Sequence, residues 1–483
     1  MQASKLVQVL QVLKPEEMGR LERFLQSSYF ADVKHRAKVL ALFALLRQQH
    51  PTFEEAQMQK SRFVKQLYPE QPLVQKLDKL MSLLFRQIRR FIVVEGLFED
   101  STEADALLLE ARFYRQRQLE KHFQQSIQRL RQVQQSSQPK NKEHLLNDFL
   151  INEELSTFES FFNKRQKESL NLPATIQSLD LFYVFARLEY SCGLLSQHRF
   201  SAPLNTVMEL GISPLLGQQI ENDPLYDLPV IQSYYHAYRL LAEGKDSDIY
   251  FKLKHIIEQY EHEIPFGQLQ SLQAVCRSFC AHCYNQGDEF YLQEGFQLYR
   301  SHLEGGYLYR QDGLLPSIIK NIVTIGLSLK EYDWIYAFLV AHKDKIVGTQ
   351  FPQEVHRFNL ANYYFAIKDY NTALDHLGDK YEDTYYRLAA RRMELKIYFE
   401  QRSVLLDSKI ESFKAYIYRS SKRNLLPQLH FTGNNNFIDL LRQVNHPGTY
   451  QNGKRIDRLS QKIDSRKALV ERDWLLVKLD ELR

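Results

Sequence analysis

The feature that most limits how this chain can fold is a recurring interval. From residue 173 to 420, apolar stretches with helical spacing alternate with short polar turns near Ser196, Gly244, Gly287, Lys330 and Lys368. Successive turns lie about 40 residues apart, the period of a helix-hairpin repeat. A chain of 483 residues exceeds the size at which one globular core stops growing, so it must form several domains or an elongated array. Over this stretch the interval selects the array. Only 18 glycines serve the whole chain, which favours helices over turn-rich β structure.

The remaining segments are also helical in pattern. Residues 1–100 read as an N-terminal helical module: SKLVQVLQVL, then PEEMGRLERFLQ opening at Pro15, then HRAKVLALFALLRQ, then VQKLDKLMSLLFRQIRRFIVV. In the last of these Leu77, Leu80, Leu84, Ile88 and Phe91 or Ile92 recur every three or four residues, the spacing of one buried helix face. Residues 101–172 read as connecting helices, with a long helix or two over 102–135 and a linker near 135–142 around Pro139. The hairpin array takes 173–420, and a C-terminal helical cap takes 421–483. The expected fold class is all-α.

Laying 321–339 (NIVTIGLSLKEYDWIYAFL) over 359–377 (NLANYYFAIKDYNTALDHL) at a shift of 38 needs no gap. Asn321 matches Asn359, Lys330 matches Lys368, Tyr332 matches Tyr370 and Leu339 matches Leu377. The second copy resembles a tetratricopeptide repeat, with Leu360, Ala361, Tyr364, Ala373 and Leu377 at that family's large, small, large, small and large positions. Small Ala361 and Ala373 let the helices of a hairpin approach while Tyr364 and Leu377 fill the space beside them. The chain departs from the family in lacking a tryptophan at the first large position and in carrying Tyr385 where a closing proline is usual. The first copy departs further, with Val323, Gly326 and Ile335 at key sites. The whole chain is also similar to a set of uncharacterised bacterial helical-repeat proteins, through FLQSSYF near the N-terminus and DTYYRLAARRMELKIYFE later on.

Three motifs imitate chemistry. Cys276, Cys280 and Cys283 in CRSFCAHC resemble the cluster motif of radical S-adenosylmethionine enzymes, in which three thiolates hold three irons of a four-iron cluster. Their spacing with Leu272, Val275 and Phe279 puts them instead on one apolar helix face, where free cysteine packs as a small hydrophobe. Gly448, Gly453 and Lys454 satisfy G-x4-G-K, but Arg455 stands where a phosphate-binding loop needs Ser or Thr, and Pro447 interrupts the approach. The expectation there is a solvated loop between two helices. His255, Glu258 and His262 project from one face of a predicted helix without HExxH spacing, and are expected to form a polar surface. No catalytic residue, metal site or cofactor is expected.

Charge does not force a polyanionic partner, since 63 basic and 58 acidic side chains give a net +5 and are interleaved along the chain. MQASKLVQVLQVLKPEE lacks the continuous apolar core of a signal peptide, and no run of about 18 apolar residues suggests a membrane span. Four cysteines make no disulfide framework and fit a reducing cytoplasm. The expected function is therefore a non-catalytic scaffold that binds a protein or peptide on a concave helical surface. The family resemblance implies that Lys320, Asn321, Asn359 and Asn362 face that groove. The alternative is a DNA-binding regulator, because RFVKQLYPEQPLVQKLDKLMSLLFRQIRR resembles the helix-turn-helix that precedes tetratricopeptide-like domains in some transcription activators. In that case Arg86, Arg89 and Arg90 meet the nucleic acid. From Arg419 onward 13 basic residues face 7 acidic ones, a bias that also suits an acidic partner or RNA.

Overall fold

The computed structural model describes residues 1, 3–27, 35–70, 73–99, 103–136, 141–162, 171–198, 212–244, 246–378, 381–422 and 427–483. Among them are helices, turns and two isolated β-bridges but no strand, so the protein is all-α. It divides into two compact units, Met1–Ala186 and Arg187–Arg483.

The first unit opens with α1 (Lys5–Val12), α2 (Pro15–Gln26), α3 (Arg36–Arg47), α4 (Lys60–Leu67) and α5 (Val74–Glu99). Pro15 opens α2 as expected, because its fixed φ and missing N–H suit a first helical turn. α5 packs against each of the other four helices. Its buried stripe is Leu77, Leu80, Leu84, Ile88 and Phe91, and Ile92 points outward at 45% exposure. The periodicity had left Phe91 and Ile92 undecided. Next come α6 (Glu103–Gln116), α7 (Glu120–Ser136) and α8 (Lys142–Phe162), around a separate core that includes Phe123 stacked on Phe158. Glu154 of α8 is buried there and accepts from Arg112 and Arg115 of α6 at 2.6 and 2.7 Å. Of the expected linker, residues 137–140 lie outside the described residues. The boundary between units falls within α9 (Leu172–His198). At the turn expected near Ser196, α9 runs on to His198, and 199–211 lie outside the described residues.

The second unit continues with α10 (Pro214–Asn222) and then with helices joined in pairs by short turns. The pairs are α11 (Pro229–Glu243) with α12 (Ser247–Gln259), α13 (Phe266–Asn285) with α14 (Phe290–Glu304), and α15 (Pro316–Ser328) with α16 (Tyr332–Ala341). After these come α17 (Pro352–Ala366) with α18 (Tyr370–Leu377), and α19 (Thr384–Glu400) with α20 (Leu406–Lys422). Each helix packs on its hairpin partner, and α11 also touches α13, α15 touches α17, and α17 touches α19. The C-terminal helices are α21 (Gln428–Val444), α22 (Gly453–Ser465) and α23 (Arg472–Asp480).

One turn recurs through both units. At Gln118, Gly287, Gly306, Lys330, Lys368 and Arg402 the backbone takes a positive φ. In each case the following amide bonds to the carbonyl five residues back, as Glu331 does to Gly326 and Asp369 to Tyr364, both at 2.9 Å. This left-handed cap satisfies carbonyls that a helix end leaves unpaired. Prolines open α11, α15 and α17, while Asp246, Asp369 and Asp383 accept backbone N–H bonds at the starts of α12, α18 and α19. At these turns the local chemistry sets where one helix stops and the next begins.

Two cores meet at α19. Tyr386, Ala389, Ala390, Met393 and Ile397 face the helices before it, whereas Leu388, Leu395 and Phe399 face those after it. Two polar latches flank that helix. Buried Glu354 of α17 accepts the N–H groups of Glu382 and Asp383, the latter at 3.0 Å. Glu471, at the start of α23, accepts from Arg392 Nε at 3.0 Å and Lys396 Nζ at 2.8 Å. Burial pushes the Glu471 carboxyl up, but Lys396 and Arg392 outweigh it and hold the pKa at about 2.

Candidate functional site

Helices α15, α17 and α19 form a row through their mutual contacts, and the residues expected to bind a peptide are distributed over it unequally. Lys320 is exposed on α15, and its ammonium lies 5.3 Å from the ring centre of Tyr385 on α19. Tyr385 is itself 41% exposed. Asn321 is exposed too, but its amide donates to Tyr299 Oη on α14 at 3.1 Å. Adjacent in sequence, Lys320 and Asn321 therefore reach to different neighbours.

Asn359 is not on this surface. It is 1% exposed, and its amide donates to the Val355 carbonyl one turn back at 2.8 Å. The expectation that it faces a groove is corrected on that ground. Packing against the neighbouring helices buries the position, and the local hydrogen bond satisfies the amide donor inside the core. Asn362 is half-buried and donates to the Phe358 carbonyl at 3.2 Å. The surface residue that the sequence reading missed is Tyr385, noticed there only as a substitute for proline.

The arginines of the alternative reading are all exposed on α5. Arg86 borders a cleft of about 740 Å³ together with Lys38, Lys76, Lys79, Tyr68 and Leu83. Lys38 and Lys76 lie 4.3 and 5.8 Å from the Tyr68 ring centre. Asp78, on the same rim, is paired with Lys60 at 2.6 Å. Lys76, Lys79 and Arg86 share one helix and their grouping was readable from spacing, whereas Lys38 and Tyr68 arrive from other elements and were not. Arg86, Arg89 and Arg90 fall in the middle of a 26-residue helix, while helix-turn-helix readers use the start of the recognition helix.

Comparison with family models, curated proteins and solved structures returns no match.

The three imitative motifs acquire definite settings. Cys276 and Cys280 are buried on α13, and Cys283 is half-buried on the same helix. Burial pushes both buried thiols up to about 12, so they stay protonated and are poor nucleophiles. Among the described residues no three His, Cys, Asp or Glu side chains group as a metal would need. Gly448 lies in a 3₁₀ turn and Gly453 opens α22, with Asn452 as its cap. That segment joins two helices, as expected. His255 and Glu258 are exposed on α12, but His262 belongs to a separate 3₁₀ turn, Glu261–Glu263, so the expected shared helix face does not exist. No described helix is long and apolar enough to cross a membrane.

Proposed function

We propose that this chain is a non-catalytic scaffold whose second unit is a tetratricopeptide-like array that captures a protein or peptide partner on the row formed by α15, α17 and α19. The observation that carries the reading is the exposed Lys320–Tyr385 pair. A cation held over an accessible aromatic ring offers a peptide both a charge and an apolar anchor, the combination on which interface energy concentrates. The hairpin pairing, with contacts between alternate helices, supports an array with one continuous face. Four unpaired cysteines support a reducing compartment such as the cytoplasm. The preferred ligand is an extended segment carrying a carboxylate for Lys320 and a side chain for Tyr385. Affinity capture from the native cell is the test, comparing the wild-type chain with Lys320→Glu and Tyr385→Ala. Both positions are exposed, so melting temperatures are expected to stay the same while a discrete partner is lost. Retention of that partner by both variants would overturn the assignment.

The basic cleft on α5 favours a second reading, a nucleic-acid regulator. It requires the full-length chain to bind duplex DNA with steep salt dependence, and Arg86→Ala and Lys79→Ala to weaken that binding more than Arg419→Ala does. Absence of any gel shift at low salt dismisses it.

A further inference from the structure

Within the second unit, α12, α13 and α14 enclose a cavity of about 230 Å³ that the scaffold reading does not use. Its inner wall carries Gln273, Cys276 and His302, all buried, and its rim carries Glu258 and Glu261, the first exposed and the second half-buried. The inner wall is chemically unfinished. Gln273 is 4% exposed, and its Oε1 is buried without a hydrogen-bond partner. Buried amides are almost always paired, and an unpaired one lowers stability.

His302 adds a directed donor. Its Nδ1 lies 2.6 Å from Arg277 Nη1. A guanidinium only donates, so Nδ1 accepts and the ring proton resides on Nε2, which has no hydrogen-bond partner among the described residues. Burial, with Arg277 and Lys254 nearby, lowers the His302 pKa to about 3, which keeps the ring neutral and this arrangement fixed. Arg277 has no carboxylate partner among the described residues and packs 5.5 Å from the Tyr299 ring centre, so the inner end carries positive potential. Lys254 lines the same cavity and is balanced by Glu294 at 2.7 Å. At the rim the polarity reverses, with the exposed Glu258 carboxylate 3.9 Å from Lys254 Nζ and that of Glu261 accepting from Tyr307 Oη.

A donor and positive field inside, and carboxylates at the mouth, match a zwitterion. We propose that this cavity binds a free α-amino acid with a short side chain, its carboxylate toward His302 Nε2–H and its ammonium donating to Gln273 Oε1 and facing the rim glutamates. The volume is about seven or eight water volumes and falls below the range of pockets for drug-sized ligands, which excludes a nucleotide or a peptide. The site stands independently of the partner face on α15, α17 and α19.

Thermal shift and calorimetry on the full-length chain test it, with glycine, alanine and serine set against acetate, propionate and ethylamine. The amino acids are expected to raise the melting temperature in a concentration-dependent way, and the compounds with only one of the two charges are not. Gln273→Leu loses no protein hydrogen bond and Glu258→Gln lies on the exposed rim, so both variants fold. The first is expected to lose the response and the second to weaken affinity at least fivefold. The proposal is overturned if no amino acid shifts the transition, if acetate or ethylamine matches alanine, or if both variants respond as the wild type does.

Discussion

Gly326 shows at the scale of one residue how two aligned hairpins can fill the same place with different side chains. A Cβ placed there would come within 2.4 Å of Ile335 Cδ1 and 3.1 Å of Phe296 Cε2. At the aligned positions of the next hairpin stand Tyr364 and Ala373, both part of the same core. One hairpin is small on its first helix and large on its second, and the next reverses the order. A motif that asks for particular sizes at particular positions misses such an exchange, although the filled volume is conserved in kind. Gly326→Ala is expected to cost about 1–3 kcal/mol, and Ile335→Val, which removes the clashing Cδ1, to recover part of that cost in the double variant. Chemical denaturation of the four proteins of the cycle checks this, and additive effects would show that the two side chains do not share the space.

His302 gives a second test at the same scale. Its pKa in the folded protein is about 3, below the ordinary value of about 6.5 for an unfolded chain. Between these values the unfolded chain binds the extra proton, so this group's contribution to stability is fully present above about pH 6.5 and declines as the pH falls toward 3. His302→Gln is expected to flatten the fall in denaturation midpoint across that window. An unchanged slope would mean that the ring is not held neutral.

At the scale of elements, the left-handed caps are the most economical statement of the fold. Lys330 and Lys368 adopt φ of 62° and 66°, where a residue with a Cβ is strained and glycine is not. Lys330→Gly and Lys368→Gly are each expected to raise stability by about 0.5–1 kcal/mol in urea denaturation. A loss at both positions would contradict the cap geometry. These two lysines were legible as turns because they sit at matching points of an aligned pair, and Pro15 was legible as a helix start because proline has one good place in a helix. The stripe on α5 was legible to within one residue. Asn359 was not, because a polar side chain that bonds to its own helix carries no sequence mark of burial. Tyr385 and the Lys38–Tyr68 pairing required neighbours that only tertiary structure supplies.

The molecule as a whole carries two kinds of surface, one in each of its two units. The first unit presents a basic cleft beside an exposed arginine series. The second presents an aromatic and cationic pair on a row of alternate helices, and Cys276 and Cys280 are buried on α13. Glu354 and Glu471 anchor α19, the helix that carries Tyr385, to the elements on both sides of it. A flexible surface would lose more entropy on binding and gain less affinity from the same contacts. The most direct test of the scaffold reading is site-specific photo-crosslinking in the native cell, with a photoreactive aromatic residue at position 385 and, as a control, at exposed position 418. One dominant protein adduct is expected from position 385 that disappears when Lys320→Glu is added, and no such adduct from position 418. Equal adducts from the two positions, or an adduct at 385 that is indifferent to Lys320, would contradict that reading.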